Sequence, residues 1–292
     1  MKKILITGAN SYIGTSFERY MAQWPDQYQV DTVDMIDGTW RETDFSRYDC
    51  VYHVAGIAHS DTGNVSEERK AFYYQINTDL TEETAKKAKA EGVKQFIFMS
   101  SAIVYGDSAP IGKTKVITAD TPVSPANFYG DSKVQAENRI LPMNDDSFKV
   151  VVLRPPMIYG PGSKGNYPIL SKLAQKLPVF PVVDNRRSML FIGNLMEFVR
   201  LMVENEEQGI FWPQNAEYSN TSELVGQIAK VHGKRIVMIP GTEWALKFMS
   251  RYTGLVNKAF GNLSYEQSLS EYKDNYRIVT LEESIYATEV KS

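Results

Sequence analysis

Cysteine and histidine are scarce in this chain of 292 residues, which contains one cysteine and three histidines. A single cysteine, Cys50, excludes an internal disulfide framework. The histidines do not stand near one another at the spacing of metal ligands, so the sequence predicts no metal site. No apolar run approaches the ~18 residues of a membrane-spanning helix. The short run after Lys3 ends at Thr7, too early for a secretory signal peptide.

Neither sign of charge predominates, because 32 basic side chains face 35 acidic ones and the net charge is −3. This balance gives no overall electrostatic attraction for nucleic acid or for an acidic membrane surface, so neither is an expected partner. The hydrophobic content of 43% is sufficient for a full core. We therefore expect a cytoplasmic globular protein of one large or two medium domains.

Short apolar strands alternate with helical segments through the first half of the chain. The strands read as continuous apolar runs, which is typical of strands buried on both faces of a parallel sheet. Strands are predicted at 4–6, 30–33, 50–54, 95–99 and 150–153, and helices at 12–23, 81–90 and 125–140. The pattern predicts an α/β fold with a Rossmann-type, doubly wound parallel sheet.

After Arg154, prolines and glycines interrupt the regular alternation of strands and helices. We expect a first domain over 1–155 together with about 186–206, since a helix from about 194 to 204 is predicted to return to it. The remaining segments, 156–185 and 207–292, are predicted to form a smaller, irregular α/β lobe.

A phosphate-binding loop is predicted between the first strand and the first helix. A tight turn before a helix directs backbone N–H groups and the helix dipole toward a pyrophosphate. Gly8 permits the turn and Gly14 lets the helix pack closely on the sheet, while Ser11 stands where the usual fingerprint has glycine. The predicted contacts are Gly8, Asn10, Ser11, Tyr12, Ile13 and Gly14. A strand–helix turn with two incidental glycines is the alternative.

Asp34 follows the second predicted strand. A carboxylate at this place accepts hydrogen bonds from both hydroxyls of an adenosine ribose and repels a 2′-phosphate, which favours NAD over NADP. A solvated loop acid is the alternative, because other aspartates are close by. Asp44 and Phe45 are predicted to contact the edge of the adenine.

Two segments carry the candidate chemistry. Ser101 directly follows a buried strand, and Tyr129 and Lys133 lie four residues apart near the start of a helix, on one of its faces. The ammonium of Lys133, together with a bound nicotinamide cation, is expected to lower the pKa of the phenol from its ordinary value of about 10 toward neutrality. Ser101 is expected to share the substrate oxygen with the tyrosine, because open parallel sheets bind ligands at the carboxyl ends of their strands.

These segments, in this order, resemble the extended short-chain dehydrogenase/reductase superfamily, in its NAD-dependent nucleotide-sugar epimerase/dehydratase branch. The similarity runs from Lys3 to about Asn194. It includes the glycine loop and the two segments above, together with 49–56, Asn77, 153–162 and 187–192.

The resemblance implies that Tyr129 is the acid/base, that Lys133 also holds the nicotinamide ribose, and that Ser101 assists at the substrate oxygen. The residues that it places along the cofactor are Val54, Ala55, Gly56, Asn77 and Pro156. It places at the substrate Tyr159 and Arg187, with Arg187 on the diphosphate of a nucleotide sugar; a surface cation is the alternative for that arginine. His59, in the loop after the third strand, is either a group that reaches the sugar or, more ordinarily, a polar loop residue.

The resemblance implies a NAD-dependent nucleotide-sugar epimerase, most simply a UDP-hexose 4-epimerase, which oxidises C4 transiently and returns the hydride to the other face of the 4-keto sugar. A 4,6-dehydratase usually has an Asp-Glu pair after the serine, where this chain has Ala102-Ile103. The alternatives are an NAD(P)H-dependent nucleotide-4-keto-sugar reductase and a non-catalytic dinucleotide sensor. A UDP-sugar substrate, a role in polysaccharide biosynthesis and a homodimer are further expectations.

Overall fold

The computed structural model divides the chain into two compact units. It describes residues 1–57, 65–250, 256 and 259–290, so His59 lies outside the described residues. Unit 1 comprises Met1–Gly106, Pro122–Pro155 and Met196–Pro213. Unit 2 comprises Asp107–Thr121, Pro156–Leu195 and Gln214–Ser292.

Unit 1 contains a six-stranded parallel sheet, as predicted for a Rossmann-type fold. From edge to edge its strands are β10 (Gly209–Phe211), β6 (Lys149–Leu153), β4 (Gln95–Met99), β3 (Cys50–His53), β1 (Lys2–Thr7) and β2 (Tyr28–Val33). Every residue of β3 and β4 is buried, because both faces of a parallel sheet are covered. β1 lies between β2 and β3, so the strands that follow it in the chain are added first on one side of it and then on the other. Ligands of such sheets bind at this point, where the order of the strands reverses.

Helices pack on both faces of this sheet. The helices of unit 1 are α1 (Tyr12–Met21), α2 (Glu67–Tyr74), α3 (Leu80–Ala90), α4 (Phe128–Ile140) and, from Met196 onward, α6 (Ile192–Glu204). One core contains strand residues such as Phe96 and Val150 together with Ala88 of α3 and Ala136 of α4. These alanines let the helices approach the sheet closely. On the other face Phe17 of α1 meets the ring of Tyr52 edge-on, with 5.1 Å between centroids.

Unit 2, within its described residues, contains two-stranded parallel sheets instead of one large sheet. These pair β5 (Val116–Ile117) with β12 (Ser264–Tyr265), β7 (Met157–Tyr159) with β9 (Met189–Phe191), and β8 (Val179–Pro181) with β11 (Val237–Ile239). Its helices are α5 (Asn166–Lys176), α7 (Thr221–Val231), α8 (Glu243–Met249) and α9 (Leu281–Val290). None of the helices in the described part of the chain is long and apolar enough to cross a membrane.

The two units differ from the predicted domains at three places. The segment that carries β5 lies in unit 2, because β5 pairs with β12. Residues 186–195 also lie in unit 2, where β9 pairs with β7. Residues 207–213 lie in unit 1, because β10 pairs with β6 at the edge of the large sheet. Pairings of two or three residues leave too short a pattern in the sequence to be recognised.

Candidate active site

The glycine loop after β1 is shaped by close approaches between strand ends. Gly8 has φ +115°, and a Cβ on it would lie 2.8 Å from the backbone nitrogen of Ala55, so glycine is required there. A Cβ on Gly14 would lie 3.1 Å from the side chain of Ile6 and 3.3 Å from that of Val54. Both glycines therefore let α1 begin directly beside the carboxyl ends of β1 and β3.

Ser11 caps the first helix. Its hydroxyl oxygen accepts the N–H of Gly14 at 3.1 Å, and its backbone is extended, with φ −72°. The position therefore does not demand glycine, which explains how serine replaces the usual residue of the fingerprint. Asn10, before it, has the left-handed φ of 61° that asparagine tolerates. The N–H groups of Tyr12 and Ile13 belong to the first helical turn, which has no intrahelical acceptors.

Asp34 lies exposed at the end of β2, and its carboxylate accepts the N–H of Ile36 at 2.9 Å. Directly after it, a cavity of about 360 Å³ opens in unit 1. The cavity is lined by Met35, Ile36, Gly38, Trp40, Arg41, Gln75, Ile76, Asp79, Leu80 and Glu83. Arg41 lies over the ring of Trp40, 4.7 Å from its centroid, and forms an ion pair with Glu83. The sequence did not reveal this cavity, because its walls come from segments about forty residues apart.

Asp44 and Phe45 are not among the residues that line this cavity, although the Phe45 ring lies 6.3 Å from that of Trp40, and their contact with adenine stays a prediction. Phe45 is fully buried in the core of unit 1, with the ammonium of Lys87 4.9 Å from its ring centroid. Asp44 caps the short helical turn that follows it, where its carboxylate accepts the N–H of Ser46 at 3.0 Å. The two residues shape the local turn and the core.

Asn77 fastens the loop after β3 to helix α4. Its amide oxygen accepts the N–H of Ile57 at 2.8 Å, while its amino group donates to the Ile57 carbonyl at 3.2 Å and to Ser132 Oγ at 3.0 Å. The side chain is fully buried and both amide hydrogens are engaged. A Cβ on Gly56 would lie 3.1 Å from this amide oxygen and 3.2 Å from Lys133 Nζ, so the glycine keeps that approach open.

His53 is a buried, neutral residue of β3 that links β1 to helix α3. Its Nδ1 lies 2.7 Å from Thr7 Oγ1 and its Nε2 lies 3.0 Å from Thr81 Oγ1. Because the Thr81 hydroxyl already donates to the carbonyl of Asn77, it accepts a hydrogen bond from Nε2–H, and Thr7 donates to Nδ1. Burial lowers the pKa of His53 to about 3, with a smaller contribution from Lys133.

Ser101, Tyr129 and Lys133 come together in unit 1. The side chains of Ser101 and Tyr129 are joined by a hydrogen bond. Lys133 Nζ donates to the carbonyl of Met99 at 3.0 Å and lies 4.7 Å from the ring centroid of Phe98. Helix α4 thus presents its tyrosine and lysine to the end of β4, where Ser101 begins the next turn.

Burial dominates the acid–base properties of these groups. It raises the pKa of Tyr129 to about 12, against the lowering effect of the hydrogen bond from Ser101. It also lowers the pKa of Lys133 to about 8. In the chain alone burial of the phenol prevails, and the combined lowering of its pKa by Lys133 and a bound nicotinamide cation stays a prediction. A positive charge beside Tyr129 would lower this pKa.

A buried ion pair supports this arrangement, and the sequence did not indicate it. Glu137, one helical turn after Lys133, forms an ion pair with Arg154, and both side chains are at least 92% buried. The Ser100 hydroxyl donates to the same carboxylate, and Arg154 donates to Tyr105 Oη at 2.7 Å. Glu137 also raises the pKa of Lys133, opposing the effect of burial. The pair therefore ties α4 to the end of β6, and the Ser100 hydroxyl ties the same carboxylate to the end of β4, next to Ser101.

Two of the predicted substrate residues, Tyr159 and Arg187, lie in unit 2. Tyr159 is fully buried, with its hydroxyl bonded to Ser284 and to Asn215 and its ring stacked on Tyr167 at 5.0 Å. It is a core residue of unit 2, contrary to its predicted place at the substrate. Pro156, at the start of this unit, is buried as well.

Hydrogen bonds fix both the backbone and the side chain of Arg187. Its N–H and carbonyl pair with Ser219 at 2.9 Å in each direction, and its guanidinium donates to the carbonyl of Ala259 at 2.9 Å. Burial lowers its pKa to about 10. A fixed, largely desolvated guanidinium has the chemistry of an anion-binding group.

A model of the NAD dependent epimerase/dehydratase family matches residues 4–211, which contain the glycine loop, Ser101, Tyr129 and Lys133. The chain belongs to this family. It is accordingly an enzyme of the NAD-dependent epimerase/dehydratase type, as the resemblance in the sequence implied. The matched range covers the whole of the six-stranded sheet apart from the first residues of β1.

Curated relatives in the family extend along most of the chain. A UDP-glucose 4-epimerase of Vibrio cholerae is 28% identical over 91% of this chain and 88% of the relative. An N-acetyl-alpha-D-glucosaminyl-diphospho-ditrans,octacis-undecaprenol 4-epimerase of Escherichia coli O157:H7 is 26% identical over 80% of this chain and 73% of the relative.

Solved structures share the fold of this chain at low sequence identity. The UDP-glucuronic acid 4-epimerase of Bacillus cereus in complex with NAD has a TM-score of 0.73 and 17% identity, over 99% of this chain and 98% of that one. The RMD protein of Pseudomonas aeruginosa complexed with NADPH has a TM-score of 0.72 and 18% identity, over 99% of both chains. The fold is therefore common to proteins that bind NAD and to others that bind NADPH.

Proposed function

We propose that the chain is a NAD-dependent nucleotide-sugar 4-epimerase that acts on a UDP-hexose. The observation that carries the proposal is the joint placement of Ser101, Tyr129 and Lys133 at the strand ends beside the glycine loop of unit 1. The similarity to the Vibrio cholerae UDP-glucose 4-epimerase over 91% of the chain supports the choice of reaction and of nucleotide.

The residues of unit 1 fit NAD. A Cβ on Gly8 would clash with the Ala55 backbone, and a Cβ on Gly56 would crowd the side chains of Asn77 and Lys133, so these glycines let the ends of β1 and β3 lie close to each other and to Lys133. The N–H groups at the start of α1 would hold the pyrophosphate, as at other helix N-termini. Asp34 would accept the ribose hydroxyls, and the cavity beyond it would receive the adenine. The exposed carboxylate of Asp34 would repel a 2′-phosphate on that ribose, which supports NAD over NADP.

The chain's own residues supply the proton transfers of an epimerase. When bound, NAD supplies the redox chemistry at the sugar carbon and adds a positive charge near the phenol. That charge offsets the burial that raises the pKa of Tyr129, so the tyrosinate can take the proton of the 4-hydroxyl and later return it. Ser101 holds the same oxygen by a hydrogen bond, and Lys133 holds the nicotinamide ribose and maintains positive charge beneath the site.

The residues after Ser101 distinguish this reaction from a dehydration. An elimination needs an acid and a base beyond the tyrosine. Ala102 and Ile103 form a short helical turn there and have no ionisable group. A 4-keto-sugar reductase uses the same three residues and is the second candidate, favoured by the structural similarity to the NADPH-bound protein of Pseudomonas aeruginosa.

Arg187 is proposed to bind the diphosphate of the nucleotide sugar. Its guanidinium is fixed by the Ala259 carbonyl, and its lowered pKa reports a desolvated cation that an anionic ligand would stabilise. Replacement of Arg187 by alanine should raise the KM for the nucleotide sugar at least about tenfold, since charge-assisted hydrogen bonds contribute ~1.5–3 kcal/mol. The same replacement at Arg186, which lies over the ring of Tyr218 and is exposed, is the matched control.

The test of the proposed reaction starts from the purified protein, before any cofactor is added. We expect its mass spectrum to contain NAD, because an epimerase returns its cofactor to the oxidised state in every cycle. We also expect it to interconvert the two C4 epimers of a UDP-hexose without added cofactor. Protein that arrives without cofactor and oxidises NADPH when given a nucleotide-4-keto-sugar would contradict the proposal and favour the reductase.

A homodimer is a separate proposal, based on the resemblance to the superfamily alone. Light scattering at micromolar concentration should give twice the 33.1 kDa of one chain. A mass equal to one chain would refute it.

A further inference from the structure

One face of the sheet β8–β11 in unit 2 is apolar and open to solvent. Val179 and Val237 are partners in the register and project on the same side, with Ile239 two residues further along. Their exposed fractions are 44%, 58% and 39%. The opposite face is covered, because Phe180 is 3% exposed and packs on Phe260.

Helix α8, which starts beside this sheet, exposes two further large apolar side chains. Trp244 and Phe248 are four residues apart, so they share one side of the helix, and they are 74% and 55% exposed. The helix starts next to the sheet: Thr242 Oγ1 donates to the carbonyl of Ile239 at 3.2 Å, and that carbonyl also accepts the N–H of Val182 at 2.9 Å. We call the six exposed side chains the apolar patch; they are Val179, Val182, Val237, Ile239, Trp244 and Phe248.

The segments that contain the apolar patch carry an excess of basic residues, unlike the chain as a whole, although an exposed acid, Asp184, follows the first segment and donates its N–H to Glu243. The two segments that contain it, 172–182 and 230–250, have six basic residues and one acidic residue. The basic residues are all exposed: Lys172, Lys176, Lys230, Lys234, Arg235 and Lys247. The acidic residue, Glu243, lies 3.5 Å from Lys247 in an ion pair. The overall charge of −3 therefore conceals a local surface of opposite sign.

We propose that this surface docks the protein on an anionic lipid bilayer as a peripheral membrane protein. An exposed tryptophan and phenylalanine beside aliphatic side chains are suited to the interfacial layer of a bilayer, where one end of an aromatic side chain is apolar and the other wet. The basic rim is complementary to anionic headgroups. This proposal does not depend on the reaction at the active site.

The direct test is sedimentation of the purified protein with lipid vesicles. We expect binding to vesicles of phosphatidylcholine mixed with phosphatidylglycerol, weak binding to phosphatidylcholine alone, and release at high salt. Replacing Trp244 and Phe248 together by serine should abolish binding at low salt. Replacing Lys234 and Arg235 together by glutamate should weaken it at least about tenfold, because each basic residue near the surface contributes ~1 kcal/mol.

Matched controls distinguish binding through the apolar patch from a general effect of replacing exposed residues. Ile169 and Tyr286 are exposed by 53% and 60% elsewhere in unit 2, and their double replacement by serine should leave vesicle binding unchanged. All variants should retain the thermal unfolding midpoint of the parent, since every altered side chain is exposed. The emission of Trp244 should shift to shorter wavelength on anionic vesicles, and replacement of Trp244 by phenylalanine should remove that shift.

Three outcomes would overturn the proposal. The first is equal binding to neutral and anionic vesicles. The second is binding that survives both the aromatic and the charge-reversal replacements. The third is the absence of vesicle binding together with a solution mass of two chains that falls to one when Trp244 and Phe248 become serine, which would assign the apolar patch to contact with a second copy.

Discussion

Unit 1 and unit 2 are stabilised in different ways. Unit 1 has one large sheet whose central strands are buried along their whole length, and its chemically active side chains stand at the strand ends. Unit 2 has short paired strands joined by buried polar side chains, such as Asn185 and Asn215, which hydrogen-bond to neighbouring segments. The large sheet of unit 1 therefore holds Ser101, Tyr129 and Lys133 in fixed positions. The short strands and polar contacts of unit 2 tolerate more change in sequence.

The largest effect should come from the acid/base residue of unit 1. Replacing Tyr129 by phenylalanine should lower kcat by about 10³-fold, because general acid–base catalysis contributes ~10²–10⁴-fold. Stability should change little. Tyr74→Phe, which removes a hydroxyl bonded to Asp131 at 2.8 Å, is the matched control and should stay near the activity of the parent. Equal losses in both variants would show that the site in unit 1 was assigned wrongly.

The buried ion pair of unit 1 should give the next largest effect. Replacing Glu137 by glutamine leaves the Arg154 guanidinium buried without its counter-charge, which costs ~3–5 kcal/mol. The pKa of Lys133 should also fall, since Glu137 raises it, and the pH–rate profile should move in the same direction.

Denaturant unfolding and a pH–rate series measure these two effects. Glu67→Gln breaks an exposed pair with Lys70 and should change the free energy of unfolding by less than about 1 kcal/mol. If the Glu137 and Glu67 variants unfold alike, the buried pair does not support unit 1.

His53 should make the free energy of unfolding depend on pH, and this effect should be of intermediate size. The unfolded chain binds a proton at this residue below about pH 6.5, whereas the folded chain keeps it neutral down to about pH 3. Stability is therefore full above the unfolded pKa and falls as the pH drops, by about 1.4 kcal/mol between pH 7.5 and 5.5. His53→Asn should lower stability at every pH but remove this part of the slope. An unchanged slope in the variant would mean that other groups cause it.

The smallest effect should come from the cap of helix α1. Ser11→Ala removes the acceptor of the Gly14 N–H and should cost about 1 kcal/mol. Ser11→Gly, which restores the usual residue of the fingerprint, should cost only a few tenths of a kcal/mol. Thermal unfolding of the two variants measures the difference. Identical midpoints would indicate that the hydroxyl does not act as the cap.

Sequence patterns predicted the parts of unit 1 that depend on local order. The strand at 95–99 lies where its apolar run indicated, and Tyr129 and Lys133 share a helix face because their spacing requires it. The cavity after Asp34 and the Glu137–Arg154 pair were not predictable, because each joins segments that are distant in the chain. The sequence predicts Phe45 and Tyr159 at a ligand, whereas both side chains are fully buried, because an aromatic residue beside a motif gives the same pattern in either setting.

The late position of β10 in the chain has a consequence for synthesis. This strand covers the edge of β6, yet the ribosome makes it only after residues 156–195 of the other unit. Until then the backbone of β6 is an open edge able to pair with a foreign strand. The nascent protein should therefore be most prone to aggregation, and most dependent on chaperones, in the interval between Leu153 and Gly209.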